Sequence, residues 1–284
     1  MAGAELTEWG AEVSESITRI LVSIVGIPVV LGAIWGGGVF FALLVAVIAT
    51  IAVLEFYRMS RSVQVHPQSF IGVAGVLLVV TMFLLGSDSM VLPVIILLLI
   101  MTLILEVFTL QEDPLTGTAV TILGVLYIGV FLGTLIAIRE NSTLGSDQTR
   151  MIFIAAVFIG VWICDTAAYF FGIRFGRYRL FERVSPNKSV EGAVAGFLST
   201  AVFYTGVYFS SLNPQLTVFS TLLVILIVGV FGQVGDLLES WLKRRAEVKD
   251  SSAILPGHGG VLDRFDSLIL VAPLLYLAIQ WNLI

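Results

Sequence analysis

A single cysteine, Cys164, stands in the whole chain, which excludes an internal disulfide and any cysteine-based zinc site. By itself it reads as a small apolar residue within a helix. Charge is equally scarce. Asp, Glu, Lys and Arg make up 12% of the 284 residues and hydrophobic types 58%, whereas soluble domains carry about 25% charged residues. So little polar surface cannot face water, and lipid must be the solvent. Repeats and low-complexity stretches are also missing, which argues against a transporter built from repeated halves. The formal net charge of -5 says little about partners, because Glu5, Glu8, Glu12 and Glu15 crowd the first fifteen residues; no nucleic-acid partner is expected. That acidic start lacks the basic region of a secretory signal, so the first apolar segment is expected to remain as a span.

What is present is hydrophobicity along the whole length, with a mean hydropathy of +1.02. At about 20 apolar residues per crossing, the candidate spans are 17–34, 38–57, 69–86, 91–108, 116–138, 151–172, 190–210, 216–238 and 265–282. Backbone groups in hydrocarbon must bond within their own segment, so the expectation is an all-α, polytopic membrane protein of about nine transmembrane helices. We expect a cytoplasmic segment over 1–16, where Leu6, Trp9 and Val13 oppose the glutamates as in an amphipathic surface helix. A single catalytic domain over 17–284 would follow, with the active site in 151–284.

The distribution of Lys and Arg orients the bundle. With the N-terminus in the cytoplasm, thirteen of the 15 basic residues lie inside, and only Arg139 and Arg150 remain outside. Two basic loops, about 173–189 and 239–264, then face the cytoplasm. GxxxG spacings at Gly32/Gly36, Gly129/Gly133 and Gly192/Gly196 allow close helix approach or a homodimer.

Acids inside apolar spans are costly and mark cavities or partners. Asp165 falls in the sixth span, about 10 Å from its inner end by helix rise. Asp236 falls near the inner end of the eighth, and Gln233, Glu239 and Ser240 share its helix face by spacing. The loop that follows is dense in chemistry. Lys243, Arg244, Lys249 and Arg264 offer donors suited to phosphate; Gly257, Gly259 and Gly260 let backbone amides approach an anion; Asp263 and Asp266 share a face at the start of the last span. Taken singly, the basic residues read as membrane anchors, Asp263 as a helix cap and His258 as an ordinary loop histidine. Together with Asp236 they point to a site for metal and polyphosphate.

The same segment is similar to the signature of the phosphatidate cytidylyltransferase (CDP-diacylglycerol synthase) family, at Ser240, Leu242, Lys243, Arg244, Lys249, Asp250, Ser252, Leu255, Pro256, His258, Gly259, Gly260, Val261, Asp263, Arg264 and Asp266. The run Ser185-Pro186-Asn187-Lys188-Ser189-Val190-Glu191-Gly192 resembles that family's Ser-Pro-Lys-Lys-Thr-x-Glu-Gly element, departing at Asn187 and Ser189. Lys188, placed just where a helix is expected to begin, opposes the helix dipole unless an anion binds there.

The resemblance implies transfer of cytidylyl from CTP to phosphatidic acid, giving CDP-diacylglycerol and pyrophosphate. Asp236 and Asp263, with Asp165 as third acid, are then expected to hold Mg2+, with a second metal ion permitted. Lys243, Arg244 and Lys249 would neutralise the triphosphate. Lys188, Ser185, Ser189, Asp250, His258, Gly259, Gly260, Arg264 and Asp266 would contact substrate. The expected setting is a bacterial inner membrane, with the site facing the cytoplasm and the lipid entering from the inner leaflet. The same chemistry on an archaeal-type ether lipid phosphate is the alternative. The Asp-Gly and Asp-x-x-x-Asp pattern of CDP-alcohol phosphotransferases is absent.

Overall fold

The computed structural model describes residues 24–109, 113–210, 212, 216–254 and 259–284. The expected surface helix over 2–16, the start of the first span and His258 lie outside the described residues. Helices dominate: α1 (Ile24–Gly36), α2 (Gly38–Ser62), α3 (Ser69–Leu84), α4 (Val91–Thr109), α5 (Pro114–Glu140), α6 (Asp147–Phe175), α7 (Val190–Phe209), α8 (Val218–Arg245) and α9 (Leu262–Gln280). Six of these, α2 and α4 to α8, are long and apolar enough to cross a membrane; α1 and α3 are apolar but shorter. The first turns of α9 carry Asp263, Arg264 and Asp266.

Local chemistry starts these helices where it should. Asp113 caps α5, its side chain accepting from Thr116 N, with Pro114 at the first helical position. Ser146 caps α6 by accepting from Thr149 N, and Thr217 and Ser220 form a reciprocal capping box on α8. Both α5 and α8 contain a π-helical turn, at Val125–Val130 and Ile227–Phe231. Such turns free a carbonyl; at the second, Gly229 O accepts from Gln233 Nε2 at 2.6 Å, and Gln233 also reaches Ala193 O on α7.

The core lies where α2, α3, α5 and α9 meet, around Phe41, Val53, Tyr57, Val76, Leu132 and Leu275. α9 packs on α8, α5 and α2, joining the two halves of the chain. α4 instead leaves Leu97, Val107 and Phe108 exposed, as a helix facing hydrocarbon does. At one end of the bundle Arg139, 1% exposed, donates through Nε to Ile34 O and through Nη1 to Asp147 at 2.7 Å. It lies on α5 and Arg150 on α6, so the segment 139–150 expected as a loop is largely helical.

α6 and α7 pair along their length, and the glycines explain how. A methyl group at Gly192 would meet Ala168 O at 2.6 Å and Gly172 Cα at 3.0 Å, and one at Gly196 would meet Cys164 O at 2.8 Å. Gly129 and Gly133 are likewise crowded, by Val76 and Phe83, whereas Gly32 has open space beside it. Cys164 is buried and free, as expected. Gly192→Ala is expected to destabilise the protein by about 1–3 kcal/mol through overpacking, read as a lower unfolding temperature in detergent. An unchanged unfolding temperature would show that the helices can separate freely here.

Two loop boundaries differ from expectation for physical reasons. Apolarity ends near residue 238, but α8 continues to Arg245, because Glu239 and Lys243 pair one turn apart at 2.6 Å within a run of good helix formers. Between α6 and α7, strands β1 (Arg179–Phe181) and β2 (Ser185–Ser189) form an antiparallel hairpin. Pro186 and Lys188 are therefore on a strand, and α7 begins after Ser189, whose Oγ accepts from Gly192 N.

Candidate active site

α6, the hairpin, α7 and α8 enclose a cavity of about 630 Å³. Asp165 enters from α6, Arg179, Ser185, Asn187, Lys188 and Ser189 from the hairpin, and Gln233 and Asp236 from α8. The ammonium of Lys188 lies 2.6 Å from an Asp236 carboxylate oxygen, and both side chains are partly shielded from solvent. Asp165 lines the same cavity. A cation thus sits among acids on one wall of a semi-enclosed space, an arrangement able to orient an anionic ligand and balance its charge.

Deeper in the bundle, one carboxylate oxygen from each of Asp236, Glu239 and Asp266 lies within 4.8 Å of the others. The spacing follows from secondary structure: Asp236 and Glu239 are three residues apart on α8, and Asp266 faces them from the second turn of α9. Glu239 is 0% exposed. It pairs with Lys243 at 2.6 Å and stands beside Asp263. Two buried carboxylates and a half-buried one that converge on one point suit a hard, oxygen-seeking cation.

Asp263 has a different environment. It accepts from Lys243 Nζ at 2.8 Å, Gly260 N at 2.7 Å and Ser251 N at 3.0 Å, and Ser251 Oγ lies 3.1 Å away. Lys243 bridges Asp263 and Glu239 and is itself largely buried. Asp263 is not the residue flanking the helix start; that place belongs to Val261. Asp263 instead closes the loop onto α8. Gly259, at φ +78°, lies against it. Lys249, Asp250 and Arg264 are exposed around this loop, and Arg244 on α8 donates to Val184 O of the hairpin at 3.4 Å.

The structure therefore brings Asp165, Ser185, Lys188, Ser189 and Asp236 to one cavity, and Asp266 to the carboxylate cluster behind Asp236. It sets Asp263 and Lys243 beside that cluster. Three residues in and around this region fall outside the motifs. Glu239 was legible as sharing Asp236's face but not as its partner; Arg179 is one basic residue among several; Glu55, an acid in the second apolar span, obeys the same rule that singles out Asp165.

Residues 17–281 match the sequence profile described as the cytidylyltransferase family. Among curated proteins, the phosphatidate cytidylyltransferase of Bacillus subtilis (strain 168) is 35% identical over 271 residues, covering 91% of this chain and 95% of the relative. The phosphatidate cytidylyltransferase of Staphylococcus aureus (strain COL) is 33% identical over 263 residues, covering 92% and 96%. That of Staphylococcus saprophyticus is 32% identical over 262 residues with the same coverage.

Proposed function

The chain belongs to the cytidylyltransferase family, and from that premise we propose how its residues carry the reaction. It is a nucleotidyltransferase that moves cytidylyl from CTP to phosphatidic acid, releasing pyrophosphate and CDP-diacylglycerol for phospholipid synthesis. The ether-lipid and transporter readings find no support among these relatives. The observation that carries the assignment of the site is the Lys188–Asp236 ion pair on the cavity wall, backed by the carboxylate cluster.

A phosphatidic acid oxygen attacks the α-phosphorus of CTP as the bond to pyrophosphate breaks. The nucleophile is already ionised at neutral pH, so the protein's task is to hold two anions together and stabilise the departing charge. Lys188 is the cation nearest that work, with Arg179, Ser185 and Ser189 on the same wall. Arg244, beside the hairpin, and the exposed Lys249 and Arg264 supply further positive charge. Lys243 acts through the carboxylates it bridges, keeping Asp263 and Glu239 fixed.

Asp236, Glu239 and Asp266 have the donor set for Mg2+, with Asp165 near Asp236 and Asp263 beside Glu239 as further candidates for one or two ions. When bound, the metal supplies charge neutralisation on the phosphates. His258, Gly259 and Asp250 belong to the nucleotide side in this reading, whereas the Gly260 amide, expected to approach an anion there, donates to Asp263.

We place the chain in a bacterial cytoplasmic membrane with the cavity facing the cytosol, supported by the one-sided distribution of basic residues. The segment 17–284 acts as one catalytic unit. Gly32, open on its outer side, leaves room for a homodimer contact. Purified protein incubated with Mg2+, CTP and phosphatidic acid is expected to release pyrophosphate and CDP-diacylglycerol in equal amounts. No CTP-dependent lipid product would sink the proposal.

A further inference from the structure

Glu55 sits within α2, far in sequence from every residue of the cavity, and is 2% exposed. A buried carboxylate with no partner would be intolerable there. Among the described residues its partners all come from the other half of the chain. Val261 N donates to Oε1 at 3.0 Å and Leu262 N to Oε2 at 2.7 Å, while Ser251 Oγ donates to Oε2 at 2.9 Å and Ser252 Oγ to Oε1. Both oxygens are thereby saturated.

The two amides open α9, the helix that carries Asp263, Arg264 and Asp266. A helix start leaves free N–H groups and a partial positive charge, and α9 has no capping side chain of its own at Val261. Glu55 serves as that cap from another helix. The serines meanwhile belong to the loop that Asp263 closes from the other side, since Ser251 donates through its hydroxyl to Glu55 and through its amide to Asp263. A side chain at Gly260 would strike both Ser251 Oγ and the Glu55 carboxylate, so only glycine lets the loop pass between them.

We infer that Glu55 is a positioning residue for cytidylyl transfer: its carboxylate caps α9 and anchors the 251–252 turn, setting where Asp263 and Asp266 stand. The inference rests on the proposed function and gives the N-terminal half of the bundle a role in the site. It separates from mere structural support by what changes on substitution. Misplacing Asp263 and Asp266 affects the transition state more than CTP capture, which the exposed basic residues retain.

The test compares Glu55→Gln, Glu55→Asp and the paired Ser251→Ala/Ser252→Ala variant in detergent. Glu55→Gln is expected to lower kcat by about 100-fold with KM for CTP changed by less than about threefold. Glu55→Asp, which keeps both charged acceptors, is expected to recover about tenfold of that loss. Amide hydrogen exchange across 250–262, measured without substrate, is expected to accelerate in Glu55→Gln and less in Glu55→Asp. Should Glu55→Gln fail to fold, the paired serine variant carries the test, with kcat down about tenfold at unchanged KM. Wild-type kcat per folded molecule, or a rise in KM alone, overturns the inference. Wild-type protein without CDP-diacylglycerol synthesis would instead sink the proposed function, and the exchange measurement would still decide whether Glu55 holds the loop.

Discussion

Asp236→Asn is expected to lower CDP-diacylglycerol formation by about a thousandfold, at the upper end of what one preorganised charge contributes. The substitution keeps shape and removes charge at the point where the cavity and the carboxylate cluster meet. Asp236 is the ion-pair partner of Lys188 at 2.6 Å and the member of the Asp236, Glu239 and Asp266 group that also lines the cavity. Without its charge, Lys188 loses the carboxylate that aims it, and the cluster loses one of its anionic oxygens. Both effects act on reacting groups, so kcat should fall further than KM for CTP rises. Asp236 is partly accessible, and the unfolding temperature should therefore change little. Activity within tenfold of wild type would remove Asp236 from the machinery.

Much of this arrangement is readable from the residues themselves. Apolar runs of about the bilayer thickness mark helices because lipid leaves the backbone no other way to satisfy its hydrogen bonds; each expected span coincides at least in part with a described helix, but only six of those helices are long and apolar enough to cross a membrane. Hydropathy fails where a helix leaves the membrane. α8 runs on to Arg245 on the strength of charged residues that a hydropathy window counts against it, and the hairpin at 179–189 has no sustained apolar run. Asp236 stands out as an acid in an apolar helix, and so does Asp165.

The pairing of Asp236 with Asp266 is harder to read, since it depends on how α8 lies against α9. Lys188 stands out as a charge near a helix start although it lies on a strand, and its pairing with α8 carries no sequence signal. Glu55 shows both sides of this. Its position in a span advertises a buried partner, but the partners are Ser251, Ser252, Val261 and Leu262, about two hundred residues away, and two of them are backbone amides that carry no residue signature.

Asp263→Asn is expected to reduce turnover by about 100-fold or more and also to destabilise the protein by about 1–3 kcal/mol, unlike Asp236→Asn. Asp263 collects donors from Lys243, Gly260 and Ser251. An asparagine can accept with one atom only, and its amide group would face a donor already there. Lys243 would then be left with Glu239 alone in a largely buried position, which is costly when a charge loses a partner. Two contributions can be separated. If Asp263 helps hold metal, raising Mg2+ should restore part of the lost rate. If it works by closing the loop onto α8, added Mg2+ should do nothing, and Lys243→Met should cost far less in the Asp263→Asn background than in wild type, because both changes break one interaction. A near-normal rate with a lowered unfolding temperature would reduce Asp263 to a staple for the loop and leave Asp236 and Asp266 as the acids that matter for transfer.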